Sequence, residues 1–104
     1  MAVSEHSVQN AIRLWCGERD IPCFRCNVGR VRTIDGKVFD TGLPEGFPDL
    51  IILANGTVYF CEVKSAKGRQ REAQIRFMEY VRSRGYTYVV ARSVGDVEGA
   101  INGH

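Results

Sequence analysis

Asp49, Glu62 and Lys64 are the residues whose types and spacing suit hydrolytic chemistry, and the stretch that carries them predicts how they meet. They belong to Gly46-Phe47-Pro48-Asp49-Leu50-Ile51-Ile52-Leu53-Ala54-Asn55-Gly56-Thr57-Val58-Tyr59-Phe60-Cys61-Glu62-Val63-Lys64. Asn55-Gly56 between two runs of apolar, β-branched and aromatic residues predicts a hairpin with a type I′ turn, because both central positions of that turn need positive φ. Counting outward from the turn, Leu53 faces Val58, Ile51 faces Phe60 and Asp49 faces Glu62. Opposed side chains stand roughly 4.5–5.5 Å apart at Cβ, and strand alternation brings Lys64 to the same face as Glu62. Two acids and one base therefore converge. Like charges placed opposite one another destabilise a sheet, so something must compensate. Either Lys64 alone neutralises two acids at a sheet edge, or a divalent cation binds. Mg²⁺ takes a few carboxylate oxygens together with water and substrate phosphate, and the Val63 carbonyl offers a further oxygen.

Pro48-Asp49 followed by Glu62-Val63-Lys64 resembles the PD-(D/E)xK nuclease signature. Within that superfamily, Gly46-Phe47-Pro48-Asp49-Leu50 with Cys61-Glu62-Val63-Lys64-Ser65 is similar to the VRR-Nuc family. The resemblance covers most of the chain, since Glu5-x-x-Val8-Gln9, Phe24-Arg25-x-Asn27-x-Gly29, and Gly68 followed by Gln74-x-x-Phe77 agree in order and spacing. It implies a three-layer α/β/α restriction-endonuclease-like core with a mixed central sheet, and hydrolysis of DNA phosphodiesters that depends on Mg²⁺, with Mn²⁺ able to substitute. The same resemblance makes Asp49, Glu62, Val63 and Glu5 the metal ligands. It makes Asp49, Glu62, Lys64 and Gln74 the catalytic set, with Gln9 a further candidate one helical turn after Glu5. Stand-alone members resemble junction resolvases, which implies a homodimer acting on branched, four-way DNA.

The elements that must position these residues can be read from periodicity. Ser4 caps a first helix whose apolar stripe is Val8, Ile12 and Trp15, ending at Gly17. Glu5 continues that stripe one turn earlier and is expected to look inward, where a carboxylate meets either free N–H groups or a metal. Pro22 to Asn27 reads as a strand. Residues 28–47 are rich in glycine and carry Arg30, Arg32 and Lys37, and Val31-Arg32-Thr33 with Lys37-Val38-Phe39 predicts a minor hairpin that projects basic side chains toward a ligand. A turn at Ser65-Ala66-Lys67-Gly68 leads to a helix from about Arg69 or Gln70 to Arg84, with Ala73, Phe77, Tyr80 and Val81 buried and Gln74 at the border of that stripe. Ile75 and Met78 fall off the stripe and would be exposed in a monomer, a patch suited to two-fold pairing. Tyr86 to Ala91 predicts a last strand, parallel to the one ending at Lys64, and Val94, Val97 and Ile101 mark a short final helix.

The 104 residues suit one domain, 1–104, and an apolar content of 44% with 25% charged residues is that of a globular protein. No apolar run approaches a membrane span and the first residues do not form a signal peptide, so a cytoplasmic location is expected. The net charge of +2 is small, yet seven of the 14 basic residues, Lys64, Lys67, Arg69, Arg71, Arg76, Arg82 and Arg84, crowd into one stretch. Such a cluster favours a polyanion, with Lys67, Arg69 and Arg71 as expected nucleic-acid contacts beside Arg30, Arg32 and Lys37. Cys16, Cys23, Cys26 and Cys61, with only His6 and His104, have no zinc-ligand spacing and read as reduced thiols. The competing readings are a binding module that keeps the fold without catalysis, and a monomeric nuclease acting on flap or linear DNA.

Overall fold

The computed structural model describes residues 3–103, and the side chains of all of these except Val31 and Phe39. Along the described residues the order is α1 (Glu5–Glu18), β1 (Cys23–Arg25), β2 (Arg30–Arg32), β3 (Val38–Asp40), β4 (Leu50–Ala54), β5 (Thr57–Val63), α2 (Glu72–Ser83), β6 (Thr87–Ala91) and α3 (Val94–Asn102). Asn55 and Gly56 have φ of 56° and 70°, the left-handed values the type I′ turn demands. The turn sets the ladder, with Leu53 opposite Val58 and Ile51 opposite Phe60, as the sequence predicts. Asn55 adds a tertiary tie, its amide donating to the Tyr59 hydroxyl at 2.9 Å and to the Ile101 carbonyl at 2.8 Å.

Four strands form the main sheet in the order β1-β4-β5-β6, while β2 and β3 pair only with each other. β1 and β4, and β4 and β5, run antiparallel, whereas β5 and β6 are parallel and joined through α2. The sheet is therefore mixed, with helices on both faces. Leu50, Ile52, Tyr59, Cys61, Val63 and Ala91 point to one side and pack against Val8, Ile12 and Cys16 of α1 and Val97 and Ile101 of α3. Full burial of each aliphatic side chain there contributes about 1.5–3 kcal/mol. On the other side the rings of Phe47, Phe60 and Phe77 meet at centroid distances of 5.2–6.3 Å, fastening α2 to the sheet. No helix among the described residues is long and apolar enough to cross a membrane.

Several expected boundaries shift. The first strand is confined to Cys23–Arg25, because beyond it the chain turns away toward β2. The helix expected from Arg69 or Gln70 begins at Glu72, since the Gln74 side chain turns back to accept the Arg71 N–H at 2.8 Å and so defines where the helix starts. Its buried face also differs. Gln74 is buried, Tyr80 is exposed with its ring against Phe77 and under the Arg84 guanidinium, and Met78 is half-buried, leaving Ile75 as the exposed one of the pair predicted there.

Gly46 is where the loop before Asp49 meets α2. It is buried with φ of +88°, and a Cβ at that position would lie 2.3 Å from the Ala73 carbonyl oxygen. Both the backbone conformation and the close approach exclude a side chain. Gly46→Ala is expected to lower stability by about 2 kcal/mol or more, from strained φ and overpacking against rigid backbone. Urea unfolding checks this, and an unchanged midpoint would contradict the packing described.

Candidate active site

The hairpin register delivers the two acids. Leu50 pairs with Cys61, so Asp49, one residue before β4, lies across from Glu62 as the turn chemistry predicts. Alternation sends Leu50 and Cys61 into the core beneath α1 and turns Asp49 and Glu62 toward α2. Asp49 is half-buried, and its Oδ2 accepts the Val63 N–H at 2.7 Å, so a carboxylate finishes the β4–β5 ladder in place of a main-chain carbonyl. Burial pushes its carboxyl above the usual carboxylate range, the Val63 N–H opposes this, and the charge of Glu62 adds to the upward push.

Glu62 is 0% exposed. Its Oε1 accepts from the Tyr88 hydroxyl at 2.7 Å and from the Gln70 amide at 3.2 Å. Burial, followed by the hydrogen bond to Glu62, drives the Tyr88 phenol well above its ordinary pKa, so it stays protonated and donates. Among the described residues Oε2 of Glu62 has no hydrogen-bond partner, and Lys64 Nζ stands 3.7 Å from it, within ion-pair range but too far to donate. Lys64 is itself buried. A buried carboxylate oxygen without a partner costs on the order of 1–3 kcal/mol. One oxygen of Glu62 is thus tied back by two neutral donors, while the other is left for something cationic.

Among the described residues, no three His, Cys, Asp or Glu side chains gather closely enough to cage a metal ion. A cation at this place would have Asp49 and Glu62 as carboxylate ligands, with main-chain oxygen, water and phosphate completing its shell. That sparse protein contribution fits Mg²⁺, which keeps several waters and near-octahedral geometry. The unpartnered Oε2 is the atom such an ion would satisfy.

The structure separates the other predicted residues. Glu5, expected to face inward, is exposed: it lies in the first turn of α1, which Ser4 caps through the Ser7 N–H, and the packed layer begins only at Val8. Gln9 is half-buried on the same helix. Gln74 is committed through its oxygen to the start of α2, and the glutamine that touches Glu62 is Gln70. Lys67, Arg69 and Arg71 are exposed on the connection from Lys64 to α2 and form no ion pair among the described residues. Arg30 and Arg32 are exposed on β2, and Lys37 is exposed just before β3. All four cysteines are free, and burial raises each thiol pKa, that of Cys23 to about 12, so none supplies a thiolate at neutral pH.

Sequence reasoning missed Gln70, Tyr88 and Arg92. The sequence puts Gln70 at the start of the helix, and its place before α2 follows from the later cap. Tyr88 reaches Glu62 only because β6 is registered with Tyr88 beside Phe60, and a crossover of this length leaves that register open in the sequence. Arg92 follows the end of β6 and its Nη1 donates to the carbonyls of Ser65 and Gly68, each at 2.6 Å, and of Ala66 at 3.4 Å. One guanidinium braces the turn that separates Lys64 from Gln70. No local signal marks it.

No curated protein matches the chain. The model of the VRR-NUC domain matches residues 3–95, a span that contains the β4–β5 hairpin, Lys64, Gln70, Gln74, Tyr88 and Arg92. With most of its length inside that match, and with an acid pair and lysine held on a mixed α/β sheet, the chain belongs to the VRR-NUC domain family and carries a nuclease-type domain.

Proposed function

We propose that the protein is a divalent-metal-dependent DNA endonuclease, and the observation that supports this best is the buried Glu62 carboxylate with its unpartnered Oε2 beside Asp49 and Lys64. Asp49, Glu62 and the Val63 carbonyl would hold Mg²⁺, with Mn²⁺ able to replace it. Glu5, exposed at the start of α1, would join only through water. The ion, when bound, lowers the pKa of coordinated water and offsets charge on the phosphoryl oxygens. Lys64 orients the attacking water and stabilises negative charge as the phosphodiester opens, a task suited to a buried cation already held in place. Gln70 and Tyr88 hold Glu62 in one rotamer by donating to Oε1. Gln74 acts by accepting the Arg71 N–H and so fixing the stretch before α2 that brings Gln70 to Glu62. Lys67, Arg69 and Arg71 contact the DNA backbone on this side, and Arg30, Arg32 and Lys37 do so from the outlying hairpin. A module that only binds DNA gains nothing from burying Glu62 in this way.

Selectivity for four-way DNA by a homodimer is part of the same proposal. The candidate for pairing on α2 is Ile75, 37% exposed, and two sites related by a dyad suit paired cuts on opposed strands. Sedimentation at micromolar concentration, beside cleavage of labelled linear, flap and four-way DNA, checks it. A monomer that cuts all three equally would remove the assembly and leave the nuclease assignment standing.

With Mg²⁺ or Mn²⁺, wild-type protein is expected to cut DNA and to melt at a higher temperature than in chelator, whereas Ca²⁺ supports binding with little cutting. Asp49→Asn and Glu62→Gln should lose both cleavage and the metal-dependent rise in Tm, and Lys64→Ala should lose about 100-fold in rate. A Glu62→Gln protein that Mg²⁺ still stabilises as much as wild type would sink the metal assignment.

Arg69→Ala and Arg71→Ala are expected to weaken binding uniformly across DNA sequences. Each should reduce the slope of log affinity against log salt by about 0.9, as for one lost phosphate contact. Unchanged slopes in both variants would return these arginines to solvent.

A further inference from the structure

The outlying hairpin presents a side chain that internal packing does not explain. β2 and β3 pair with each other alone, Arg30 opposite Asp40 and Arg32 opposite Val38. The turn between them holds Ile34 wholly in solvent. That turn is tightly closed. The Thr33 N–H donates to the Lys37 carbonyl at 2.7 Å, the Lys37 N–H returns to Thr33 Oγ1 at 3.1 Å, and the Gly36 N–H donates to the Thr33 carbonyl at 3.0 Å. Thr33 Oγ1 also donates to the Asp35 carboxylate. Ile34 is thus carried on a cross-braced tip.

The charges around it are mixed with a cationic excess, Arg30, Arg32 and Lys37 against Asp35 and Asp40. Asp35 is engaged by Thr33 and lies 4.0 Å from Lys37, and Asp40 accepts the Gly42 N–H at 2.8 Å. Arg30 and Arg32 are exposed, with no ion pair or side-chain hydrogen bond among the described residues. The ribbon therefore offers an apolar tip on a cationic shaft.

Its root lies at the candidate site. Arg25 of β1 pairs with Leu50, the Cys26 N–H donates to the Asp49 carbonyl at 2.8 Å, and the Thr41 N–H donates to the Gly29 carbonyl at 2.8 Å, closing the base of the hairpin. The chain thus leaves the sheet beside Asp49, makes the ribbon, and returns to Asp49. From Gly29 to Ile34 an extended chain reaches roughly 16 Å, which covers about five base steps at 3.4 Å each along a strand.

We infer that β2–β3 is a DNA-probing ribbon whose Ile34 inserts between bases within about five base steps of the cleavage point, so that broken stacking selects the substrate. This deepens the nuclease reading and rests on it. Apolar wedges flanked by arginine and lysine are how proteins part a base step while the cations hold the adjacent phosphates. Parting an intact step is costly, and least so where bases are already unpaired. The ribbon accordingly favours branch points, flaps and nicks over continuous duplex. A bare apolar tip with no cationic flank would point to another occupant. Here the charge complements phosphate.

The experiment places 2-aminopurine at the branch of a four-way or flap DNA and, separately, within linear duplex, in Ca²⁺, and compares wild type with Ile34→Ser; cleavage of each DNA is then followed in Mg²⁺. Ile34 touches nothing in the fold, so its replacement should leave Tm unchanged. Wild type is expected to raise fluorescence at the branch. Ile34→Ser should lose that rise and about tenfold of its preference for branched over linear DNA, with linear cutting and the salt slope unchanged. Equal fluorescence and equal preference in the two proteins overturn the inference. So does a variant that alters sedimentation instead, which would assign Ile34 to a contact between copies. If branch fluorescence rises in wild type and no DNA is cut with any metal, the nuclease reading fails while the wedge stands. A wild type that binds no DNA defeats both.

Discussion

The carboxylate of Glu62, sealed between the sheet and α2, is the constraint on which the rest of the structure depends. An ionised group wholly removed from water is tolerated only where its charge and its lone pairs are met. Tyr88 and Gln70 meet one oxygen, and Lys64 supplies charge to the other at ion-pair distance. Each donor comes from a different part of the chain. β5 brings the acid and the lysine, β6 brings the tyrosine through its parallel register, and the stretch before α2 brings the glutamine. The crossover that makes the sheet mixed is therefore also what completes the surroundings of one side chain.

That dependence explains the close fit around it. α2 must lie low over the sheet for Gln70 to reach Glu62, and Gly46 permits this by letting backbone meet backbone at Ala73. The aromatic rings of Phe47, Phe60 and Phe77 fix the separation of helix and sheet. Arg92 restrains the turn in between, since three carbonyls directed at one guanidinium leave it little freedom. These contacts hold the site from beneath and behind. Asp49 stays partly open, whereas Glu62 and Lys64 are buried.

Legibility in the sequence followed the range of each interaction. The hairpin and the pairing of Asp49 with Glu62 could be read because Asn55-Gly56 allows one kind of turn, and two-residue turns leave no freedom of register. Alternation also turns Cys61 away from Glu62, onto the face that packs against α1. The stripe of α2 was read less well, because Tyr80 is apolar enough to count as core yet spends its ring on Phe77 and Arg84. Glu5 was misread since periodicity gives direction around a helix and not whether a neighbouring layer extends that far. Gln70, Tyr88 and Arg92 were invisible for one reason: each acts across a gap in sequence that only tertiary packing closes.

The division of labour in the fold follows from rigidity. Chemistry on a phosphodiester needs its charged groups held to within a fraction of an ångström, which strands and buried hydrogen bonds supply. Choice among DNA shapes needs reach and exposed charge, which the core cannot offer without exposing itself to water. The chain places Asp49, Glu62 and Lys64 at one end of the sheet, and carries Arg30, Arg32, Arg69 and Arg71, exposed and without ion pairs among the described residues, on the two connections that leave the sheet at that end, 26–49 and 64–71. The first connection ends at Asp49 and the second begins at Lys64, so each is anchored at a residue of the site. In the proposed nuclease, chain connectivity would couple where DNA is held to where it is cut.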